Sequence, residues 1–140
     1  MDTPILLTGI AATIGALMGL AALIVPRWAS NIVRLSTSGM KPGGWAEFRA
    51  LYGGGFLLAH GSVLLTIAMM SQAGRNSVVA AGFAIGALWL GMAIGRSVSV
   101  LADHKTHRTR TPLNLFSIPF EIVMGLALWA PWLGHLGRGT

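Results

Sequence analysis

Long apolar stretches separated by short polar connections dominate the sequence. Four such stretches lie at about residues 4–25, 45–70, 78–101 and 113–133. Each has the ~20 residues that a helix needs to cross a hydrocarbon core of ~30 Å. Because lipid offers no hydrogen-bonding partner, the backbone of a spanning segment pairs with itself and forms a helix. The pattern therefore predicts an all-α fold, a four-transmembrane-helix bundle in a single domain over residues 1–140.

The composition indicates that lipid is the solvent for most of the chain. Hydrophobic residues make up 54% of the sequence and charged residues only 10%, whereas about 25% of the residues in a soluble domain are charged. The first stretch is expected to be a retained span and not a signal peptide, because its start carries Asp2 and no basic residue. The absence of cysteine excludes disulfides and thiolate metal sites.

The net charge of +6 is unevenly distributed between the two ends of the predicted bundle. The opposite end holds only Arg75 and Arg138, whereas the first and third connections hold Arg27, Arg34, Lys41, Lys105, Arg108 and Arg110. By the positive-inside rule, those two connections are cytoplasmic and both termini face outward. Basic residues in short membrane connections are a topology signal, so we expect no nucleic-acid partner.

Small residues four positions apart recur in the apolar stretches. This spacing lets helix backbones approach closely in lipid, where no hydrophobic force drives helices together. The interpretations left open are tight packing within one chain, a homodimer interface, and contact with a larger membrane complex. The pairs are Gly15 and Gly19, Gly55 and Ala59, Gly82 and Gly86, and Gly91 and Gly95.

Four ionisable residues lie within the predicted spans. Glu47 and Arg49 are near the start of the second, Arg96 is near the end of the third, and Glu121 is inside the fourth. Such residues are costly in lipid, so they usually pair or face a cavity. All four fall in the same, cytoplasmic half, and their charges sum to zero. We expect Glu121 to accept hydrogen bonds from Arg49 or Arg96, and Glu47 to pair with the other arginine.

Further polar residues accompany these charges. Asn114, Ser117 and Glu121 follow each other at helical spacing on the fourth span, and Tyr52 lies on the second. Three interpretations remain open. The first is an ion-pair clasp that fixes helix register, and the second is a pocket for the polar head of an amphiphile. The third is a site with a catalytic carboxylate. The candidate ligand-binding residues are Glu47, Arg49, Tyr52, Arg96, Asn114, Ser117 and Glu121.

The histidines give a weaker signal. His60 lies within the second span, where a hydrogen bond to a neighbouring helix is expected and a metal or haem ligand is the alternative. His104 and His107 lie in a basic connection, whose cationic neighbours argue against a metal site. We therefore predict no metal, and no cofactor motif is present.

Most of the chain resembles a known family, on residues of the second, third and fourth spans. The stretch Ala46–Gly54 (AEFRALYGG), with Gly95-Arg96-Ser97-Val98-Ser99 and Glu121, is similar to a family of small bacterial four-helix integral membrane proteins of unknown function, which is related to the wider DoxX-like group. The resemblance implies the four-helix fold, a bacterial inner-membrane location and a shared polar centre of Glu47, Arg49, Tyr52, Arg96 and Glu121. Some DoxX-like proteins are associated with quinone-linked oxidoreductase complexes, which adds a quinone to the ligands considered.

The functional prediction is a membrane protein that contacts membrane lipids and binds a lipid, quinone or other hydrophobic small molecule at the polar cluster. One alternative is a non-catalytic accessory subunit of a larger membrane complex. The other is an intramembrane isomerase-type enzyme that uses a carboxylate to move a proton. Between binding and catalysis, the sequence favours binding.

Overall fold

Four long helices carry the apolar stretches. The structure is a computed structural model and describes residues 2–36 and 43–136. Its elements are α1 (Thr3–Ile24), α2 (Pro26–Val33), α3 (Gly44–Glu47), a π-helical segment (Phe48–Gly55), α4 (Phe56–Ala68), α5 (Met70–Ala73), α6 (Arg75–Ala102), α7 (His104–His107) and α8 (Pro112–Leu136).

Four membrane-length segments result from these elements. They are α1, the continuous run Gly44–Ala68 that joins α3, the π segment and α4, then α6 and α8. Each is long and apolar enough to cross a bilayer. No strand is present in the described residues. The predicted all-α four-helix bundle is therefore confirmed, and the protein is a multi-pass membrane protein.

The helices form a ring around a core of mostly small and medium-sized side chains. α1 packs against α4 and α8, and α6 packs against the same two helices. Alanines of α1 allow the close approach, while larger side chains from the other three helices fill the centre. The core residues are Ala11, Ala12, Val63, Trp89, Met124 and Leu128.

Glycines make several of these crossings possible. A Cβ added at Gly19 would lie 2.3 Å from the Leu57 nitrogen, and one at Gly86 would lie 2.3 Å from Trp129 Cδ1. At Gly91 and Gly95, in contrast, an added Cβ meets no atom within 4 Å. The glycine pairs therefore fall into two groups. Some allow close contact between helices of this chain, whereas the Gly91–Gly95 pair lies on an open face of α6.

Polar contacts tie the ends of the bundle. At one end, Asp2 accepts a hydrogen bond from the Ile5 N–H at 3.3 Å and forms a 2.6 Å ion pair with Arg75. The hydrogen bond from Arg75 holds the pKa of the Asp2 carboxyl below its usual value. At the other end, Arg34 Nη1 donates to Thr111 Oγ1 at 2.8 Å, which joins the first and third connections.

The end that contains α2 and α7 is called the basic end below. It carries the basic residues of the first and third connections that lie in the described part of the chain, namely Arg27, Arg34, Lys105, Arg108 and Arg110. Lys41 and Arg138, which entered the charge argument, lie outside the described residues.

Helix α2 was not expected from the sequence, which indicated only a connection from Pro26 to Gly44. Pro26 occupies its first turn, where a missing N–H costs nothing. Its buried face, with Ala29 and Ser30, packs on α1 and the π segment. Arg27 and Asn31 are exposed. Such an amphipathic helix fits the boundary between lipid and water.

The second span begins with a π-helical turn. Phe48–Gly55 adopts the wider helix, and it ends in the run Gly53-Gly54-Gly55. A Cβ at Gly53 would lie 2.8 Å from the Leu23 Cα, so only glycine permits this approach to α1. A π segment changes the rotation of the residues around the helix axis, and such segments are frequent at functional sites.

Candidate functional site

A buried ion pair between α6 and α8 is the centre of the candidate site. Arg96 Nη2 lies 2.7 Å from Glu121 Oε1, and Arg96 Nε donates to Oε1 at 3.0 Å and to Oε2 at 3.2 Å. The Glu121 residue is only 4% exposed, whereas the Arg96 side chain is 32% exposed. This forked geometry fixes both side chains more strongly than a single contact does.

Asn114 holds the far side of the guanidinium. Its Oδ1 accepts a hydrogen bond from Arg96 Nη1 at 3.1 Å, and its Nδ2 donates to the Thr109 carbonyl at 2.7 Å. The Asn114 backbone N–H donates to Thr111 Oγ1 at 3.3 Å. The first turn of α8 and the preceding connection therefore orient Arg96 from the basic end.

Beside this pair lies a cavity of about 260 Å³. Residues from α1, α2, the π segment, α4, α6 and α8 form its walls. Its polar groups are those of Tyr52, Arg96, Ser117 and Glu121. The rest of the lining is mostly apolar and strongly aromatic, and it includes Trp28, Phe56, Trp89, Phe116 and Phe120. The cavity thus combines a few polar side chains with a mostly apolar wall.

The cavity reaches the surface between α2 and α8. Trp28 and Ile32 of α2 are 37% and 38% exposed, and Phe116 of α8 is 66% exposed, although all three belong to its lining. The exposed part of the cavity lining is therefore apolar.

Several hydrogen-bond donors in the cavity lining are not used by contacts among the described residues. A guanidinium has five N–H groups, and the contacts above use one on each Arg96 nitrogen, which leaves two. Among the described residues, neither the Tyr52 nor the Ser117 hydroxyl donates a hydrogen bond. The arrangement can therefore donate to an oxygen atom placed in the cavity without breaking the Arg96–Glu121 pair.

Some of the seven candidate ligand-binding residues lie at the cavity, and the others lie elsewhere. Tyr52, Arg96, Ser117 and Glu121 line one cavity, and Asn114 contacts Arg96 from behind. Glu47 and Arg49 do not line this cavity. The sequence predicted one cluster of all seven residues, whereas the structure brings five of them together and places two elsewhere.

Glu47 was expected to pair with Arg49 or Arg96, and this prediction is wrong for both arginines. Arg96 pairs with Glu121, and Arg49 Nε donates instead to the Leu23 carbonyl at 3.1 Å. The last carbonyls of a helix lack intrahelical partners, so the end of α1 competes for this guanidinium. Glu47 is exposed in α3.

A buried histidine hydrogen-bonds to a neighbouring helix, and this prediction from the sequence is confirmed. His60 is fully buried; its Nε2 accepts a hydrogen bond from Trp89 Nε1 at 2.9 Å, and its Nδ1 lies 2.7 Å from the Phe56 carbonyl. Gly15 provides the space, because an added Cβ would clash with the imidazole. Both ring nitrogens are occupied, which leaves none for a metal or haem.

This network also shapes the cavity. Trp89 and Phe56 form part of its wall, and the hydrogen bond to His60 fixes the orientation of the Trp89 ring. Within residues 2–36 and 43–136, no group of three or more His, Cys, Asp or Glu side chains is placed to hold a metal ion.

The wall contributed by α2 was missed as well. Its lining residues are Trp28, Ala29, Ile32 and Val33, which fall into two pairs spaced by four. That helical spacing after Pro26 is a signal that the sequence did contain.

No family model, no curated protein and no solved structure matches the chain. The DoxX-like resemblance, which covers most of the chain, therefore stays a prediction.

Proposed function

We propose that the chain binds the polar head of a hydrophobic small molecule or lipid in the cavity beside Arg96 and Glu121. The observation that carries the proposal is the cavity itself, which has apolar aromatic walls and includes the hydrogen-bond donors Tyr52, Arg96 and Ser117 in its lining. Ligand sites for small molecules typically combine apolar lining with a few convergent polar groups. A clasp that only fixed helix register would need the ion pair but no space beside it.

Each polar residue has a distinct role in this proposal. Arg96, Tyr52 and Ser117 donate hydrogen bonds to an oxygen of the ligand. Glu121 neutralises Arg96 and holds its orientation, because the carboxylate is bound by two guanidinium nitrogens. Asn114 supports Arg96 from the basic end. Since the pair is neutral, a strongly charged head would compete with Glu121 or Arg96 for its partner.

Cavity size limits what enters. Pockets for drug-sized ligands measure ~300–1,000 Å³, and this cavity, at about 260 Å³, is slightly smaller. It accommodates a head group or a single ring and not a whole lipid. The tail would leave through the opening between α2 and α8 and lie among lipid chains, alongside Phe116 and Ile32.

The second candidate function, an accessory subunit or homodimer, is favoured by the open face of α6. Gly91 and Gly95 leave room for another backbone, and the neighbouring Ile94 and Val98 are 66% and 57% exposed. Helices in lipid associate through such small-residue faces. This candidate predicts an interaction lost in Gly95→Leu while cavity variants leave it intact.

The location belongs to the same proposal. With the basic end facing the cytoplasm, as the positive-inside rule predicts, the site lies in the cytoplasmic half of a bacterial inner membrane. Both termini then lie outside the cytoplasm.

The test is mass spectrometry of small molecules that co-purify with the chain in a mild detergent. Wild type is compared with Glu121→Gln, which removes the ion pair, and with Ser117→Phe, which fills the cavity. Val123→Phe is the control, because Val123 lies on the same helix and is 63% exposed. We expect one enriched species in wild type and control, reduced at least ~tenfold in both cavity variants, a loss of about 1.4 kcal/mol.

Bulk lipid alone in all four proteins, with lower thermal stability only in Glu121→Gln, would contradict the proposal. The charges would then act as a clasp, and the accessory-subunit candidate would be pursued. An enzyme would be indicated if the co-purified species differed chemically between wild type and Glu121→Gln.

A further inference from the structure

A second recess, separate from the cavity, lies on the surface at the basic end. It occupies the corner where α1 ends and α2 begins, opposite the start of the second span. Its lining is Ile24, Val25, Pro26, Arg27, Trp45 and Arg49. No residue is shared with the cavity beside Arg96 and Glu121.

Two guanidinium groups face this recess, and among the described residues no carboxylate belongs to its lining. Arg49 is held in place by its Nε, which donates to the Leu23 carbonyl at 3.1 Å, and its Nη1 and Nη2 donate to no atom of the described residues. Arg27 is exposed and likewise donates no side-chain hydrogen bond within the described part of the chain. A bound anion would therefore find unoccupied donors on both sides.

The partial charges of the two helix ends at this corner do not determine whether the recess attracts an anion or a cation. The C-terminal end of α1 carries a partial negative charge and the N-terminal end of α2 a partial positive charge, and the two lie next to each other at Val25. These partial charges oppose one another, whereas the two guanidinium groups add. The recess therefore favours an anion, and planar guanidinium groups match the oxygens of a phosphate.

The position of the recess selects the source of that phosphate. Ile24 is the last residue of one membrane-length helix, and Gly44, just before Trp45, is the first of the next. Ile24 and Val25 are 66% and 52% exposed, so apolar surface adjoins the two arginines. Tryptophan is enriched at the level of lipid head groups. A soluble phosphate ion would gain nothing from the apolar surface, whereas a phospholipid contacts it with its chains.

We infer that this recess binds the head group of an anionic phospholipid through Arg27 and Arg49, with the acyl chains lying against Ile24 and Val25. Basic pockets beside transmembrane helices are a recurring way to bind anionic lipid heads. The inference does not rest on the function proposed for the cavity.

The experiment is native mass spectrometry of the detergent-solubilised chain titrated with phosphatidylglycerol or phosphatidylcholine. We expect wild type to retain phosphatidylglycerol preferentially. Arg27→Gln should weaken that binding about fivefold, and Arg27→Gln with Arg49→Gln roughly 25-fold, given the contribution of each basic residue near a membrane surface. The control, Lys105→Gln with Arg108→Gln, removes the same charge from the same end and should change binding less than ~twofold.

Three results would overturn the inference: equal binding of the two lipids by wild type, an equal loss in the control variant, or displacement of the lipid by millimolar inorganic phosphate. The last would make the recess a soluble-phosphate site, and an equal loss would indicate diffuse attraction. If the double variant unfolds, phosphatidylglycerol binding by Arg27→Gln alone tests the inference. This substitution breaks no hydrogen bond to a described residue, because the Arg27 side chain donates none.

Discussion

At the residue scale, the two members of the Arg96–Glu121 ion pair differ in burial. Glu121 is nearly inaccessible and Arg96 is about one third exposed. Bringing charges out of water costs several kcal/mol per ion, and the mutual attraction repays this only with good hydrogen bonds. The forked contact and Asn114 supply those bonds.

A stability prediction follows from this unequal burial. Arg96→Met leaves a buried carboxylate without its partner, and we expect the free energy of unfolding to fall by about 3 kcal/mol, the low end of the range for broken buried pairs. Adding Glu121→Leu should restore the stability to within ~1 kcal/mol of wild type, because an apolar pair of similar size is tolerated. Denaturant unfolding in detergent measures both.

The same double variant separates the two interpretations of the pair. If the pair is only a clasp, the double variant keeps all properties of the wild type. If the cavity binds a ligand, the double variant is stable but retains none of the co-purified species. If the double variant were as unstable as Arg96→Met, the attraction within the ion pair would stabilise the fold by more than the desolvation of the two charges costs.

At the element scale, glycines with the same sequence spacing serve different purposes. Gly19 lies against the Leu57 backbone, and Gly91 lies on an open face. Spacing alone cannot distinguish these cases, because it records periodicity along one helix and not its rotation toward a neighbour.

This difference is measurable with one substitution at each position. Gly19→Ala places a Cβ 2.3 Å from a backbone nitrogen, and such overpacking should lower the free energy of unfolding by about 1–3 kcal/mol. Gly91→Ala meets no atom within 4 Å and should be neutral or stabilising by up to ~1 kcal/mol, since alanine favours the helix. Thermal unfolding in the same detergent compares them. Equal destabilisation would mean that the α6 face is also packed, by a second copy.

Helix α2 matters at this scale because it supplies one wall of the cavity and one side of the phospholipid recess. Trp28, Ile32 and Ala29 face the cavity, while Arg27 lines the recess. A short amphipathic helix at the membrane boundary can present both kinds of side chain, since neighbouring residues point in different directions around its axis.

At the scale of the whole molecule, the two ends differ in charge. One end has the Asp2–Arg75 pair, and the basic end has the Arg34–Thr111 contact beside several basic residues that form no ion pair with the described residues. That asymmetry is what the positive-inside rule uses to set orientation.

The orientation is tested by single cysteines in this cysteine-free chain. Asn76→Cys marks the start of α6, at the end that holds Arg75, and Lys105→Cys marks the basic end. We expect a membrane-impermeant maleimide added to intact cells to label Asn76→Cys, and Lys105→Cys only after lysis. The reverse pattern would invert the proposed topology.

Much of the architecture followed from the sequence by itself. The four spans are set by apolar length, because lipid requires a helix of fixed minimum length wherever the chain crosses it. The presence of Arg96 and Glu121 in spans also indicated a polar centre, since isolated charges are too costly there.

Only the tertiary structure decided which groups meet. The sequence left Glu121 between Arg49 and Arg96; the rotation of the helices brings it to Arg96, while the end of α1 binds Arg49. The cavity, the use of α2 as its wall and the division of the glycines depend on how separate helices pack. Periodicity fixes which residues share a face of one helix, but the direction of that face is set by its neighbours and, in the second span, by the π-helical turn at Phe48–Gly55.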